Sequence, residues 1–220
     1  MDMLSAKEQL CAMGRKLLDT GLVAGTWGNI SIRLDSSQMV ITPTAGDYRT
    51  LQPSDIPVVN LAEGTFTGEK PSSEWRLHAA IYGERHDARA VIHTHSMNAS
   101  TVAAARRDVP PILDDLAQII GPGVRCAAYA LPSTRKIVRV TLKALRGRNA
   151  ALLANHGAVC IGRDLEEAFT CCQILEKGCK AFIEAEFLGG ARPINRLEAA
   201  FMHQYYLRKY ARKEKGGRDD

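Results

Sequence analysis

Apolar positions recur at helical spacing from Ser5 to Thr20, where Leu10, Met13 and Leu17 share one face and Gly21 supplies a stop. The period then shortens. Alternation in Ile30-Ser31-Ile32-Arg33, after the turn Gly25-Thr26-Trp27-Gly28-Asn29, predicts a short strand. Met39-Val40-Ile41-Thr42, after Asp35-Ser36-Ser37, predicts its partner, which Pro43-Thr44-Ala45-Gly46 ends. A further strand is expected near Pro57 to Leu61, and a short edge strand within Gly64 to Gly68. Pro71-Ser72-Ser73 opens a helix to about Tyr82, Ala90 to Thr94 reads as a buried strand, and Ala99 to Arg106 as a short helix. Val124 to Tyr129 and Ala150 to Ile161 read as strands, with a helix from Ser133 to Leu145 between them. Two closing helices start at Asp164 and Asn195, each with a Glu three places on, the capping-box spacing. Helices interleaved with hairpin strands, without repeat or linker, predict an α/β fold in which helices cover a mixed sheet.

The chain has 220 residues, 45% hydrophobic and 24% charged, enough apolar content for one self-sufficient core and too much for disorder. No apolar run approaches the roughly 18 residues of a membrane span. Met1-Asp2-Met3-Leu4-Ser5 lacks the basic start and apolar stretch of a signal peptide, so a cytoplasmic protein without membrane association is expected. Cys11, Cys126, Cys160, Cys171, Cys172 and Cys179 show no framework or paired metal spacing and read as reduced, mostly buried thiols. Of the net charge of +5, the segment 207–220 carries +3, from Arg208, Lys209, Arg212, Lys213, Lys215 and Arg218 against Glu214, Asp219 and Asp220. The body is therefore nearly neutral. A basic, mobile, solvated tail is expected there rather than a nucleic-acid arm.

Candidate chemistry concentrates in His93-Thr94-His95. Side chains two apart on a strand share a face, so both imidazoles project together from the end of Val91-Ile92. Alone, such a pair is either a metal site or two edge histidines. A third His ends another apolar run, in Leu152-Leu153-Ala154-Asn155-His156-Gly157, and three His with an open position is the pattern of catalytic zinc. His78, His86 and His203 lack that context and are assigned to the surface or to helix faces. Ser72, Ser73 and Glu74 stand at a predicted helix start, which serves either as a plain N-cap or as an anion site. Gly25 to Asn29 offers a second set of backbone amides.

Taken together, Gly25-Thr26-Trp27-Gly28-Asn29-Ile30-Ser31, Ile41-Thr42-Pro43-Thr44, Pro71-Ser72-Ser73-Glu74-Trp75-Arg76, His93-Thr94-His95 and His156-Gly157 resemble the zinc-dependent class II aldolase and adducin-head family. The resemblance runs from about Ser5 to Arg208. It implies a single-domain, three-layer fold over 1–220, with a mixed, mostly antiparallel sheet, assembled as a homotetramer with active sites between subunits. It implies that His93, His95 and His156 hold Zn2+, one ion per subunit, with Glu74 as a further ligand before substrate arrives and as the proton carrier in turnover. Gly28, Asn29, Thr44, Ala45, Ser72 and Ser73 fall where the family holds a substrate phosphate. Tyr205, in Tyr205-Tyr206-Leu207-Arg208, matches a tyrosine supplied by the neighbouring subunit.

The activity implied is reversible cleavage of a ketose 1-phosphate, such as fuculose 1-phosphate or the 5-deoxy or 5-methylthio forms of ribulose 1-phosphate, to dihydroxyacetone phosphate and an aldehyde. Mn, Fe or Co are alternatives to zinc at an open His site. Two departures stand out. Ala45 replaces a Gly, which matters if that residue needs a positive φ, and Asp114 falls where the fuculose-phosphate branch carries a Tyr implicated in protonating the leaving side. Asp114 or Asp115 could serve a ribulose-5-phosphate 4-epimerase, although that group resembles Ser-Ser-Asp where this chain reads Ser72-Ser73-Glu74. A sugar-acid phosphate decarboxylase is a further alternative. An adducin-like binding module without chemistry would be expected to have lost metal ligands that this chain retains.

Overall fold

The first helix, α1 (Met3–Asp19), is set by its sequence: the Asp2 carboxylate accepts from the Ser5 amide at 3.0 Å, and Leu10, Met13 and Leu17 are buried. It ends where Gly21 takes φ 69 and the Leu22 amide returns to the Leu17 carbonyl, the left-handed stop that glycine makes inexpensive. This computed structural model describes residues 2–216, with side chains through residue 209. Eight strands form one sheet in the order β4-β3-β2-β1-β5-β8-β7-β6. They are β1 (Asn29–Arg33), β2 (Gln38–Ile41), β3 (Val58–Asn60), β4 (Phe66–Thr67), β5 (Ala90–Thr94), β6 (Arg125–Ala127), β7 (Ala150–Leu153) and β8 (Gly157–Gly162). Every neighbouring pair is antiparallel except β6 with β7.

Period-two alternation divides the core into two layers. Ile30, Ile32, Ala90, Ile92, Ala158 and Cys160 pack with α1, α3 (Met97–Ala104), α4 (Asp114–Ile119) and α6 (Leu165–Phe187). Met39, Ile41, Val91, Val159 and Ile161 face the other way, against α2 (Trp75–Glu84) and α5 (Arg135–Leu145). A mixed, mostly antiparallel sheet between helices is therefore the fold, a single-domain three-layer sandwich.

Three local expectations are corrected. The apolar run from Ala150 to Ile161 is not one strand but the β7–β8 hairpin, with Leu153 opposite Gly157 in register. Asn155 adopts φ 56 and its amide bonds the Ala103 carbonyl, so the reversal is tied to α3. The helix after Pro71 begins only at Trp75, because the Ser72 amide instead bonds the Thr42 carbonyl and prolongs extended backbone. The six-residue α4 carries too few apolar positions to announce itself. The basic segment expected as a tail from Leu207 is helical to Gly216, the end of α7 (Arg196–Gly216), and residues 217–220 lie outside the described range.

The capping boxes are half made. Asp164 accepts from the Glu167 amide at 2.7 Å, yet the Glu167 carboxylate takes the Arg163 amide. Asn195 accepts from Leu197. The cysteines are free thiols, all buried except the half-buried Cys126. Among the described residues no helix is long and apolar enough to cross a membrane.

Candidate functional site

The middle of the sheet delivers the histidines. His93 is the fourth residue of β5, fully buried, directly opposite Asn29 of β1 and Val159 of β8. Its Nδ1 stands 2.8 Å from the Ala158 carbonyl oxygen, which assigns the proton to Nδ1 and leaves the Nε2 lone pair facing the other imidazoles. His95 follows just past the strand end, with its Nε2 2.8 Å from His93 Nε2. His156 comes from the β7–β8 turn. Its ring centroid lies 4.7 Å from that of His93 and 5.1 Å from that of His95.

Glu74 completes the cluster from the position before α2. It is buried, its Oε2 lies 3.2 Å from His93 Nε2 and its Oε1 3.8 Å from His156 Nε2. Asn29 Nδ2 donates to Oε2 at 3.1 Å, whereas Oε1 has no hydrogen-bond partner among the described residues. Burial pushes the Glu74 pKa up, but His93, His156 and the Asn29 amide outweigh it and hold the carboxyl below its usual value. Burial lowers the pKa of His95 to about 4 and also depresses that of His156, with the neighbouring imidazoles acting in the same direction.

The donor set fits a cation. One nitrogen from each of His93, His95 and His156 lies within 4.8 Å of the others. Donors of a tetrahedral zinc ion with bonds of about 2.1 Å stand about 3.4 Å apart, inside the range seen here. Neutral imidazoles with inward lone pairs, and a buried carboxylate oxygen lacking a donor, are stabilised by a positive charge between them.

Around this centre lies a cleft of about 300 Å³, lined by Thr26, Trp27, Gly28, Asn29, Pro43, Thr44, Ala45, Ser72, Ser73, Glu74, His95, Pro132 and His156. Three separate turns thus meet beside the histidines. Gly28 is required there: at φ 96, an added Cβ would stand 2.7 Å from the His93 carbonyl oxygen. Gly157 is constrained likewise, since a Cβ would strike the Thr94 carbonyl oxygen. Thr44 spends its hydroxyl on the Pro71 carbonyl and its amide on Lys70, joining two of the turns. Ala45 has φ 59, so the position does require the left-handed conformation that glycine takes without cost. Ser72 Oγ accepts from the Glu74 amide at 3.4 Å, and Ser73 is exposed to the cleft.

Tyr205 stands apart. It is exposed on α7, stacked on Phe201 at 6.5 Å, and does not line the cleft of its own chain. Asp114 opens α4, and Asp115 pairs with Lys177 at 2.6 Å; neither lines the cleft.

Of the histidines assigned to the surface or to helix faces, His78 on α2 and His203 on α7 are on helices and buried. His203 meets the Gln118 carbonyl oxygen at 2.7 Å. His78, one turn after Glu74 on α2, is fully buried, with Nδ1 2.7 Å from Ser31 Oγ, which itself lies 2.8 Å from Tyr82 Oη. The i to i+4 spacing from Glu74 was the signal available for it. Trp27 was visible only as part of a Gly-rich turn, yet its ring lies 5.7 Å from that of His95.

A three-layer sandwich with three histidines and a carboxylate at the foot of a polar cleft is the architecture of the class II aldolases. The chain belongs to the class II aldolase and adducin N-terminal domain family, whose model matches residues 8–183. It is 34% identical over 185 residues to a 5-deoxy-D-ribulose 1-phosphate aldolase of Bacillus thuringiensis serovar kurstaki, covering 83% of this chain and 86% of the relative. It is 37% identical over 166 residues to a 5-methylthioribulose-1-phosphate/5-deoxyribulose-1-phosphate aldolase of Rhodospirillum rubrum, covering 75% and 74%. Among solved structures, an L-fuculose 1-phosphate aldolase superposes with a TM-score of 0.87 at 33% identity, over 92% of this chain and 96% of that one.

Proposed function

We propose that the protein is a metal-dependent aldolase, a lyase that reversibly cleaves a ketose 1-phosphate to dihydroxyacetone phosphate and an aldehyde. Fuculose 1-phosphate and the 5-deoxy and 5-methylthio forms of ribulose 1-phosphate are the substrates to which its relatives' names point. The supporting observation is the meeting of a His93, His95, His156 and Glu74 cluster with Gly28, Asn29, Thr44, Ala45, Ser72 and Ser73 around one cleft.

His93, His95 and His156 would hold one Zn2+ per subunit, with Glu74 as a further ligand before substrate arrives. Bound zinc would supply Lewis acidity, stabilising negative charge that develops on the ketose oxygens as the C3–C4 bond breaks. The phosphate, held by Ser72, Ser73, Asn29 and the Gly28 and Ala45 backbone, fixes the carbon chain so that C3 faces Glu74. In cleavage the C4 hydroxyl gives up its proton as its oxygen becomes the aldehyde carbonyl, and the C3–C4 electron pair passes to C3. Glu74, having taken up one proton, delivers it to that carbon, so that the proton lost at C4 balances the one gained at C3; in synthesis the same carboxylate removes it. Its poise follows from its neighbours. Asn29 anchors Oε2 while Oε1, without a donor, is left to carry the proton.

Tyr205 of a neighbouring copy is assigned to the aldehyde oxygen, within a homotetramer acting in the cytoplasm. Leu197, Phe201 and Tyr205 are exposed at i, i+4 and i+8 on α7, the apolar stripe such an assembly would cover. Intact metal ligands and Glu rather than Asp at position 74 favour cleavage over epimerisation or plain binding. The deciding experiment incubates zinc-loaded protein with a panel of ketose 1-phosphates and 5-phosphates and follows dihydroxyacetone phosphate. Release from a 1-phosphate is expected; epimerised or decarboxylated product without it would replace the aldolase assignment.

A further inference from the structure

A second cavity, of about 590 Å³, opens beside β6, one of the two edge strands of the sheet, and shares no lining residue with the histidine cleft. Three arginines line it, Arg125 on β6, Arg148 before β7 and Arg196 at the start of α7, against one acidic residue, Asp108. Arg148 is only 6% exposed. Its Nε donates to the Gly123 carbonyl, and its Nη1 to those of Ala144 and Arg146. All three acceptors are neutral. Among the described residues no carboxylate forms an ion pair with Arg125, Arg148 or Arg196, and Asp108 already accepts the Cys126 amide at 2.7 Å.

A buried cation without a counterion is costly, and a ligand that brings negative charge recovers that cost. Burial draws the Arg148 pKa down to about 10, Arg125 and Arg196 add to the effect, and the nearby Asp108 carboxylate only partly opposes them. Pro110, Pro111, Pro122 and Pro193 stiffen the walls, so the space exists before any ligand arrives. The two walls are joined, because the Ile194 amide donates to the Pro111 carbonyl at 2.8 Å.

We propose that this cavity binds a small polyanion, a molecule bearing a phosphate group or two carboxylates, at a site separate from the catalytic cleft. Guanidinium groups suit either chemistry, since their forked donors match the paired oxygens of phosphate and carboxylate. Bound there, the anion bridges the Asp108–Pro111 segment that leads to α4 and the Pro193–Arg196 segment that opens α7. Occupancy therefore stiffens the base of the helix that carries Tyr205.

The test is calorimetric titration of the zinc-loaded protein with inorganic phosphate and, separately, with succinate, at ionic strength held constant with chloride. One binding event should survive Ser73→Ala, which alters only the cleft, and weaken at least tenfold in the Arg125→Gln/Arg196→Gln pair. Both arginines are exposed, so circular dichroism should show that pair folded. The Arg125→Lys/Arg196→Lys pair keeps the charge but loses the forked donors, and should bind more weakly than the wild type yet more tightly than the Gln pair. The tighter of phosphate and succinate identifies the ligand's chemistry. Any of four results overturns the proposal: no binding above the chloride background, undiminished binding by the Gln pair, equal weakness of the Lys and Gln pairs, or a change of oligomeric state in the Gln pair, which would make the cavity a contact between copies.

Discussion

Asn29 Nδ2 donates to Glu74 Oε2 over 3.1 Å, joining residues 45 positions apart in sequence. One comes from the Gly-rich turn that borders the cleft and the other from beside the three histidines. Removing the amide frees a carboxylate that burial alone would protonate more readily. Asn29→Ala should therefore lower kcat/KM by 10- to 100-fold, about 1.5–3 kcal/mol for a hydrogen bond to a charged group. Steady-state kinetics on the preferred ketose 1-phosphate is the measurement, and an unchanged kcat/KM would remove Asn29 from the site.

Glu74→Gln preserves the shape and one possible ligand oxygen but abolishes proton transfer. kcat should fall by about 10²- to 10⁴-fold, the usual contribution of a general acid or base. Detritiation of C3-labelled dihydroxyacetone phosphate reports that proton directly. Exchange at the wild-type rate would move the role to another residue.

Metal removal should abolish turnover and lower Tm together, because a ligand bound only by the folded state adds stability by mass action. Zinc should restore both. His95→Ala should retain little metal by elemental analysis and should gain nothing from added zinc; a full equivalent in that variant contradicts the assignment of the three histidines.

Stability should fall with acidification through His78. Burial drives its pKa down to about 3, from 6.5 in the unfolded chain, while Glu74 opposes this. Between those values the unfolded state binds a proton that the folded state refuses, so each unit of falling pH costs up to about 1.4 kcal/mol. Above pH 6.5 the dependence vanishes. Urea midpoints of metal-free protein between pH 4 and 6.5 should show at least this slope, because burial depresses His95 and His156 as well, and His78→Gln should reduce it by one proton.

Ala45→Gly should stabilise the protein. Ala45 sits at φ 59, which costs an L-residue about 1–2 kcal/mol, partly offset by the greater freedom glycine has when unfolded. The net gain should be about 0.5–1 kcal/mol in denaturant unfolding, with substrate KM unchanged or lower. A loss of stability would show that the turn tolerates Ala without strain.

Much of this molecule is legible in its sequence, for local reasons. Alternating apolar positions specify β1, short apolar runs specify β2 and β5, and the pleat of a strand puts His93 on the face opposite Ile92. Helical periodicity and a terminal glycine mark α1, and the spacing of Ser72, Ser73 and Glu74 before an apolar run marks the approach to α2. The family resemblance likewise rests on contiguous motifs. What only tertiary structure decided depends on pairing between distant segments. The segment from Ala150 to Ile161 is apolar on both sides of Asn155-His156-Gly157, and those three residues read as a strand end rather than as a reversal; the bond from the Asn155 amide to Ala103 and the close approach of Gly157 to Thr94 make it a hairpin and bring His156 to the other histidines. His78 has a polar side chain that looks suited to solvent, until Ser31 and Tyr82, from another strand and the next helical turn, enclose it. Arg148 and its cavity belong to the same class, because α5, the Gly123 turn and the start of α7 are far apart along the chain and only folding sets their charges side by side.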